Sequence, residues 1–507
     1  MNKTILLLIV ILATASFLRI WQLDSIPPGL YPDEAINAIQ GWEAAEKGNY
    51  KVFYPDNHGR EGLFINLLGL SLTNLKPSLF SLRLIPAIFG ILTVLGIFLL
   101  TKELLKPITK HHDYLALISS FLLATSFWHI NFSRIVFRAI MTPFALVFAF
   151  YFILKGFREK SLKSLALGGI FYGIGFHTYI SFRLSVLFFA LTLLLWLIVY
   201  IKDLKKFFIL SLALLIFITI VALPIGLYFI ENPEYFASRA TPISVFAKDN
   251  PVKAFTGSFF MHMGMFNFYG DPNWRHNFSG SPMLPLFLGL FFLIGLIFSI
   301  KEFFLTIKKK ELKELITYSL ILSWFLIMML PGMLTFEGIP HALRVIGVIP
   351  IAYIITTIGI WRVCLILKNK LNKKLIPILL IVLIIFTFSF EANKYFFKWA
   401  KNPEVKSAFT ERFVKIANYL NSLPESANTY VIANEGDLPI NTIYFFEKAK
   451  GRKSNYIFPN ELNRIERKPN TTIIVTAFDE NIKRELENMF PKGYFSAENG
   501  INIYRIK

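Results

Sequence analysis

The chain has 507 residues, room for roughly three soluble domains at about 150 residues each. Yet 54 % of them are hydrophobic and only 17 % charged, with 53 Phe and a mean hydropathy of +0.53. An ordinary soluble chain carries about 25 % charge, so a soluble fold is excluded and a polytopic membrane protein is expected. The net charge of +20 would suggest nucleic acid in a soluble chain. Here the cations fall in short loops between apolar runs, so the charge reads as an orientation signal and no nucleic-acid partner is expected. The single cysteine, Cys364, excludes an intramolecular disulfide and a Cys-based metal cluster.

A membrane span takes about 20 mostly apolar residues. Runs free of Lys, Arg, Asp and Glu lie at 5–18, 84–101, 114–133, 139–154, 164–182 and 184–201, then at 207–230, 277–300, 315–336, 345–361 and 375–390. This predicts about eleven spans in an all-α bundle. The stretch 62–75 is too short to cross and reads as an interfacial or re-entrant helix. The first run has Lys3 and an Ala13-Thr14-Ala15 step, as a cleaved signal would. Its apolar stretch continues through Phe17, Ile20, Trp21 and Leu23, so it reads as an uncleaved first helix.

Basic loops set the expected orientation. Lys102/Lys106/Lys110, Lys155/Arg158/Lys160/Lys163, Lys202/Lys205/Lys206, Lys301/Lys308/Lys309/Lys310/Lys313 and Lys368/Lys370/Lys373/Lys374 fall in alternate connections. The positive-inside rule puts them in the cytoplasm with the N-terminus. The cytoplasmic membrane is the expected location, and the loops 24–83 and 231–276 then face outward. So does everything after the transmembrane domain, 1–392. In the tail, 393–507, apolar runs shorten to strand length at Tyr430–Ala433, Thr472–Thr476 and Ile501–Tyr504. Amphipathic helical stretches lie between, near 404–421 and 479–489, so a small extracytoplasmic α/β domain is expected.

Chemistry concentrates in the first outward loop. Asp33 and Glu34 follow a proline-stiffened turn that leaves the first helix. A carboxylate there suits a general base toward a hydroxyl or amine; equally, Asp33 suits the N-cap of a helix running through Trp42 and Ala45. The two roles are compatible. His58 and Glu61, spaced i, i+3, are two metal-ligand types without a third, so a polar-rim role outweighs metal ligation. Several arginines lie at outer ends of spans, against the inside bias: Arg83, Arg134, Arg138, Arg183, Arg275 and Arg344, accompanied by His177, His276 and His341. Arginine near hydrocarbon is costly and faces a cavity or partner. Its planar fork suits bidentate phosphate binding. For any one arginine, snorkelling or pairing with an acid is the simpler account; for the set, a lipid-phosphate site is favoured.

The chain also carries a series of ordered motifs. Asp33-Glu34 is followed by Asn57-His58-Gly59-Arg60-Glu61-Gly62-Leu63-Phe64 and by Leu82-Arg83-Leu84-Ile85-Pro86. Trp128-His129-Ile130-Asn131-Phe132-Ser133-Arg134, Phe137-Arg138-Ala139 and His177-Thr178-Tyr179-Ile180-Ser181-Phe182-Arg183 come next. Asp271-Pro272-Asn273-Trp274-Arg275-His276 and Pro340-His341-Ala342-Leu343-Arg344 close the series. Over roughly residues 1–390 this order resembles the GT-C membrane glycosyltransferases, on the branch of the protein O-mannosyltransferases and the lipid A aminoarabinose transferase.

That resemblance implies a sugar donor on a polyprenyl phosphate, an acceptor that is a lipid, glycan or protein, and transfer at the outer face. It places Asp33 at the reaction centre with Glu34 beside it. Arg138, Arg183 and Arg344, with Arg134, are then the candidates for the donor phosphate. His58, Arg60 and Glu61 go to the sugar or acceptor side, as do His177, Tyr179, Arg275, His276 and His341 from the matching motifs. No cofactor is required, and His58 with Glu61 is the only weak pointer to a metal. One departure is Gly62, where many relatives have Pro; another is the absence of a Lys near Arg60. The readings that compete are a flippase of lipid-linked sugars and an oligosaccharyltransferase. Polar residues clustered at outer ends rather than midplane disfavour the first. The absence of a Trp-Trp-Asp triplet from the tail disfavours the second.

Overall fold

The computed structural model describes residues 3–372, 374–434 and 439–506; Lys373, among the predicted loop cations, lies outside the described residues. The chain divides into two compact units. One comprises residues 1–21, 50–66 and 83–399, and the other residues 22–49, 67–82 and 400–507.

The first unit is a helical bundle. Among the described residues nine helices are long and apolar enough to cross a membrane, not eleven: Lys3–Ile20, Leu79–Leu105, Arg138–Glu159, Ile180–Val199, Leu204–Glu231, Leu286–Lys309, Leu312–Met333, Ile346–Lys368 and Leu375–Trp399. The other two predicted spans are interrupted. The run 114–133 breaks at Ser126, which leaves helical geometry; its Oγ accepts the His129 N–H at 3.2 Å and so caps a second short helix, Phe127–Phe132. The run 164–182 forms only Leu162–Gly175 before the chain turns extended at Tyr179. At 1.5 Å rise per residue this helix is about 21 Å long, short of a hydrocarbon core. That interruption brings Tyr179 and Arg183 to the end of the bundle. Gly62–Asn74 is a 13-residue apolar helix, as short as expected.

Arg138–Glu159 is the most buried of the nine, whereas Leu375–Trp399 and Leu204–Glu231 expose Ile385, Phe386, Phe208 and Ile220. Apolar side chains facing outward on long helices are what a bilayer solvates. Helices Leu286–Lys309 and Ile349–Lys368 cross at glycines. A Cβ on Gly295 would lie 1.9 Å from the Ile355 carbonyl oxygen, and one on Gly359 1.8 Å from that of Phe291. Small residues permit this close backbone approach.

The second unit holds a five-stranded sheet. Asn428–Ile432 lies parallel between Asn455–Ile457 and Thr471–Val475, with Val431 opposite Ile474. Ile501–Ile506 pairs antiparallel with both Thr471–Val475 and Tyr494–Glu498. Alternate residues supply two cores. Ile432, Ile473 and Val475 pack with Ile482 and Leu486 on one face, while Val431 and Ile474 pack with Ile416, Leu420 and Ile443 on the other. Burial on both faces explains why these strands read as continuous apolar runs rather than alternating ones. The predicted helix 404–421 is two helices, Pro403–Ala408 and Glu411–Ser422, separated at Thr410, whose φ is +53°.

Helix Pro32–Lys47 belongs to this unit and packs against Ile440–Lys448. Trp42 meets Phe445 edge-on at 6.1 Å, Lys448 Nζ lies 4.7 Å from the Trp42 ring centroid, and Lys448 pairs with Glu46 at 2.9 Å. The Leu30 carbonyl accepts from Thr410 Oγ1 at 2.9 Å and Thr442 Oγ1 at 2.8 Å. The tail therefore fixes the turn from which the Asp33 helix starts.

Candidate functional site

In that helix the cap differs from expectation. Tyr31, in extended geometry, is the N-cap, and the Glu34 carboxylate reaches back to accept the Tyr31 N–H at 2.8 Å. Glu34 is fully buried. Asp33 is not the cap; it is half-buried in the first turn.

In the helical unit, Glu61 organises the arginines. It sits on a two-stranded hairpin, Phe53–Tyr54 against Arg60–Glu61, whose turn has three successive positive φ values at Asn57, His58 and Gly59. Gly62 closes the hairpin by donating its N–H to the Val52 carbonyl at 2.7 Å, and a Cβ there would lie 2.0 Å from the Lys51 carbonyl oxygen. Proline, lacking the N–H and adding that carbon, has no place in this geometry. The departure at Gly62 thus has a local structural cause.

Glu61, 2 % exposed, accepts from Arg138 Nε at 2.7 Å and from an Arg183 terminal nitrogen at 3.1 Å. Arg138 starts the short helical turn Arg138–Ile140, and its guanidinium lies 5.3 Å from the Tyr179 ring centroid. Arg183 sits 4.6 Å from the Phe229 ring and 4.7 Å from that of Phe236, and donates to the Phe236 carbonyl. Two cations, Arg138 buried and Arg183 partly so, share one carboxylate and leave a surplus positive charge.

Arg183 opens onto a cavity of about 480 Å³ that also takes in Tyr179, Arg239, Thr335, His341 and Arg344, with Ile180, Leu184, Phe246 and Leu334 among its apolar walls. Arg344 is held by its bonds to Thr335 Oγ1 at 2.8 Å and to the Glu337 carbonyl at 2.6 Å. Burial lowers the Arg344 pKa; Tyr179, Glu337 and Asp271 oppose the shift and Arg239 adds to it. An anion entering beside the two arginines would relieve both burial and repulsion. A second cavity, about 500 Å³, shares Arg183 and Phe236 but is otherwise apolar, lined by Phe176, Ile225, Phe229 and Ile230 among others.

The remaining predicted residues go elsewhere. Arg134 is fully buried and donates to the carbonyls of Leu18 and Trp21, beside the rings of Tyr395 and Phe396. His177 bonds through Nε2 to the Val221 carbonyl at 2.8 Å, joining the turn after Leu162–Gly175 to helix Leu204–Glu231. His58 offers its carbonyl to Ser238 Oγ at 3.0 Å, and Arg60, also buried, donates to the Asp56 carbonyl. Arg275 Nε reaches Asn273 Oδ1 at 3.3 Å. Neither His58 nor Glu61 belongs to a three-ligand group; among the described residues the group with suitable geometry is Asp271, His276 and His341. Sequence reading missed Arg239, which stands in a loop of small residues with no motif around it.

At the opposite ends of these helices lies a different cavity, about 490 Å³, lined by Lys106, Arg158, Lys160, Lys202 and Lys313 with Asp203. Four of the five basic connections therefore share one side of the bundle.

No family model matches the chain, and no curated protein matches it. Solved structures do. ArnT from Cupriavidus metallidurans bound to undecaprenyl phosphate superimposes with a TM-score of 0.54 at 11 % identity, covering 98 % of this chain and 97 % of that one. The oligosaccharyltransferase AglB of Archaeoglobus fulgidus, in complex with an inhibitory peptide and a dolichol-phosphate, gives 0.54 at 12 %, covering 100 % of this chain and 74 % of that one. An Archaeoglobus fulgidus oligosaccharyltransferase in the apo form gives 0.52 at 14 % identity and 89 % coverage of this chain, which spans 64 % of its length. The fold is thus that of the GT-C glycosyltransferases, as the motif order implied.

Proposed function

We propose that this protein is an integral-membrane glycosyltransferase that moves a sugar from a polyprenyl-phosphate donor to a lipid, glycan or protein acceptor. The observation that carries this reading is the shared wall at Arg183 and Phe236, where a cavity with three arginines meets an apolar one. A lipid monophosphate has that same division, an anionic head on a hydrocarbon tail. The similar structures with undecaprenyl phosphate and dolichol-phosphate support the same lipid class.

In the proposed reaction the acceptor oxygen or nitrogen attacks the anomeric carbon while Asp33 takes its proton. The bond from that carbon to the phosphate oxygen breaks, and the electron pair leaves with the polyprenyl phosphate. Arg183, Arg344 and Arg239 stabilise the charge that grows there, and Arg138 holds Arg183 in place through their common partner Glu61. Attack opposite the leaving group inverts the anomeric centre. No general acid is needed, because the phosphate leaves ionised. The basic connections that share one cavity support a cytoplasmic side there, with Arg183 and Arg344 at the outer face.

The test uses purified protein in liposomes with a polyprenyl-phosphate sugar labelled in the sugar, and candidate acceptors outside. Label should pass to a new product, and Asp33→Asn should reduce the rate by about 10²–10⁴-fold, the usual worth of a general base. Label that keeps its carrier and only changes leaflet would instead show a flippase.

A further inference from the structure

We infer that Asp271, His276 and His341 form a site for one divalent transition-metal ion of the zinc type, tying the 271–276 loop to the segment that carries Arg344. Each of the three offers one donor atom, a carboxylate oxygen or a ring nitrogen, and these lie within 4.8 Å of one another. His276 Nδ1 lies 3.0 Å and His341 Nδ1 3.9 Å from Asp271 Oδ2. Asp271 and His276 are almost fully buried.

Two further observations point to a ligand rather than a simple hydrogen-bonded cluster. First, His341 Nδ1 is buried without a hydrogen-bond partner among the described residues, although buried polar atoms are nearly always paired. Second, the surroundings pre-set the donors. The Asp271 carboxylate accepts the Ala342 N–H on Oδ2 at 2.7 Å and the Asn273 N–H on Oδ1 at 2.8 Å. The His341 backbone N–H donates to His262 Nε2 at 3.1 Å, and His262 Nδ1 is committed to the Ser258 carbonyl at 2.8 Å. The His276 ring lies 5.6 Å from Phe132 and 4.9 Å from the His341 ring. The His262 bond thus fixes the backbone at His341, and packing against Phe132 places the His276 ring.

Two imidazoles and one carboxylate are a common zinc donor set that leaves a fourth position for water or an anion. On binding, the ring of His276 changes tautomer: the proton on Nδ1 that faces Asp271 Oδ2 moves to Nε2, and the ion takes its place. Because His341 also lines the arginine cavity, the ion would add positive charge beside Arg344. That consequence rests on the proposed function; the binding itself does not.

The test is direct. Full-length protein in detergent is stripped with chelator, exposed to zinc sulfate and freed of excess by gel filtration, and its zinc is measured by elemental analysis. One zinc per chain is expected, and the stripped protein should accept Co²⁺ with the visible absorption of a tetrahedral site. His341→Gln keeps the backbone bond to His262 and removes only an unpaired ring, so it should fold, retain no zinc and lose the rise in Tm that zinc gives the wild type. Asp271→Asn should also fail to bind. Zinc absent from the wild type, or retained equally by His341→Gln, would overturn the site whatever the transfer assay gives.

Discussion

The two ends of the helical unit hold cavities of nearly equal size, about 480 and about 490 Å³, and both are cationic. They differ in how the cations are held. At one end three arginines line the wall, and Arg183 and Arg344 are tied to Glu61, Thr335 and backbone carbonyls. At the other, the charge is mostly lysine, with Lys160, Lys202 and Lys313 exposed. Lysine there needs only to be on the correct side of a membrane, so its geometry is unconstrained. Arginine held in a fixed fork by its partners suits the bidentate contact that the proposed function asks of it. Net charge alone would not have distinguished these roles.

The comparison can be broken most severely at Glu61. Glu61→Gln leaves buried Arg138 and partly buried Arg183 without their anion, and a loss of about 3–5 kcal/mol is expected from thermal or denaturant unfolding. The corresponding change at the lysine end, Glu103→Gln, removes the partner of Arg158, which pairs at 2.9 Å but is a quarter exposed; about 1 kcal/mol or less is expected. Equal losses at both ends would remove the distinction. A smaller effect is expected at Gly62, which shapes the hairpin under Glu61. Gly62→Ala must displace the Lys51 carbonyl and should cost about 1–3 kcal/mol, read as a lowered Tm. As small as the change at Glu103 is Thr442→Val in the second unit, which removes one of two donors to the Leu30 carbonyl. About 1 kcal/mol is expected, seen as earlier unfolding of that unit by hydrogen exchange in residues 30–47.

Much of the bundle was legible because a span announces itself by length and apolarity, and nine of the predicted runs are such helices. The two that are not, 114–133 and 164–182, fail at local geometry: a serine cap at Ser126 and an extended residue at Tyr179. Apolar content cannot show such breaks. The strands at 428–432, 471–475 and 501–506 were legible as short apolar runs. Strands 455–457 and 494–498 carry too few buried residues to stand out.

In the site, Arg183 and Arg344 were visible as cations at the wrong end of spans, but so was Arg134, which the fold spends on the carbonyls of the first helix. The same signal marks both uses, and only the partners separate them. Arg239 and the link from Asp271 to His341 were beyond reach, since the first has no motif and the second joins residues seventy apart in the chain. The cap expected at Asp33 falls two residues earlier, at Tyr31, because Glu34, three residues after Tyr31, reaches back to its N–H.

The most direct measurement is the affinity of a labelled polyprenyl-phosphate sugar for purified protein in nanodiscs, compared across variants of the two cavities. The account predicts that Arg183→Ala weakens binding by about 10–100-fold, the worth of a charged hydrogen bond or two, while Lys202→Ala leaves it unchanged. Binding that survives Arg183→Ala, or that falls with Lys202→Ala instead, would contradict it.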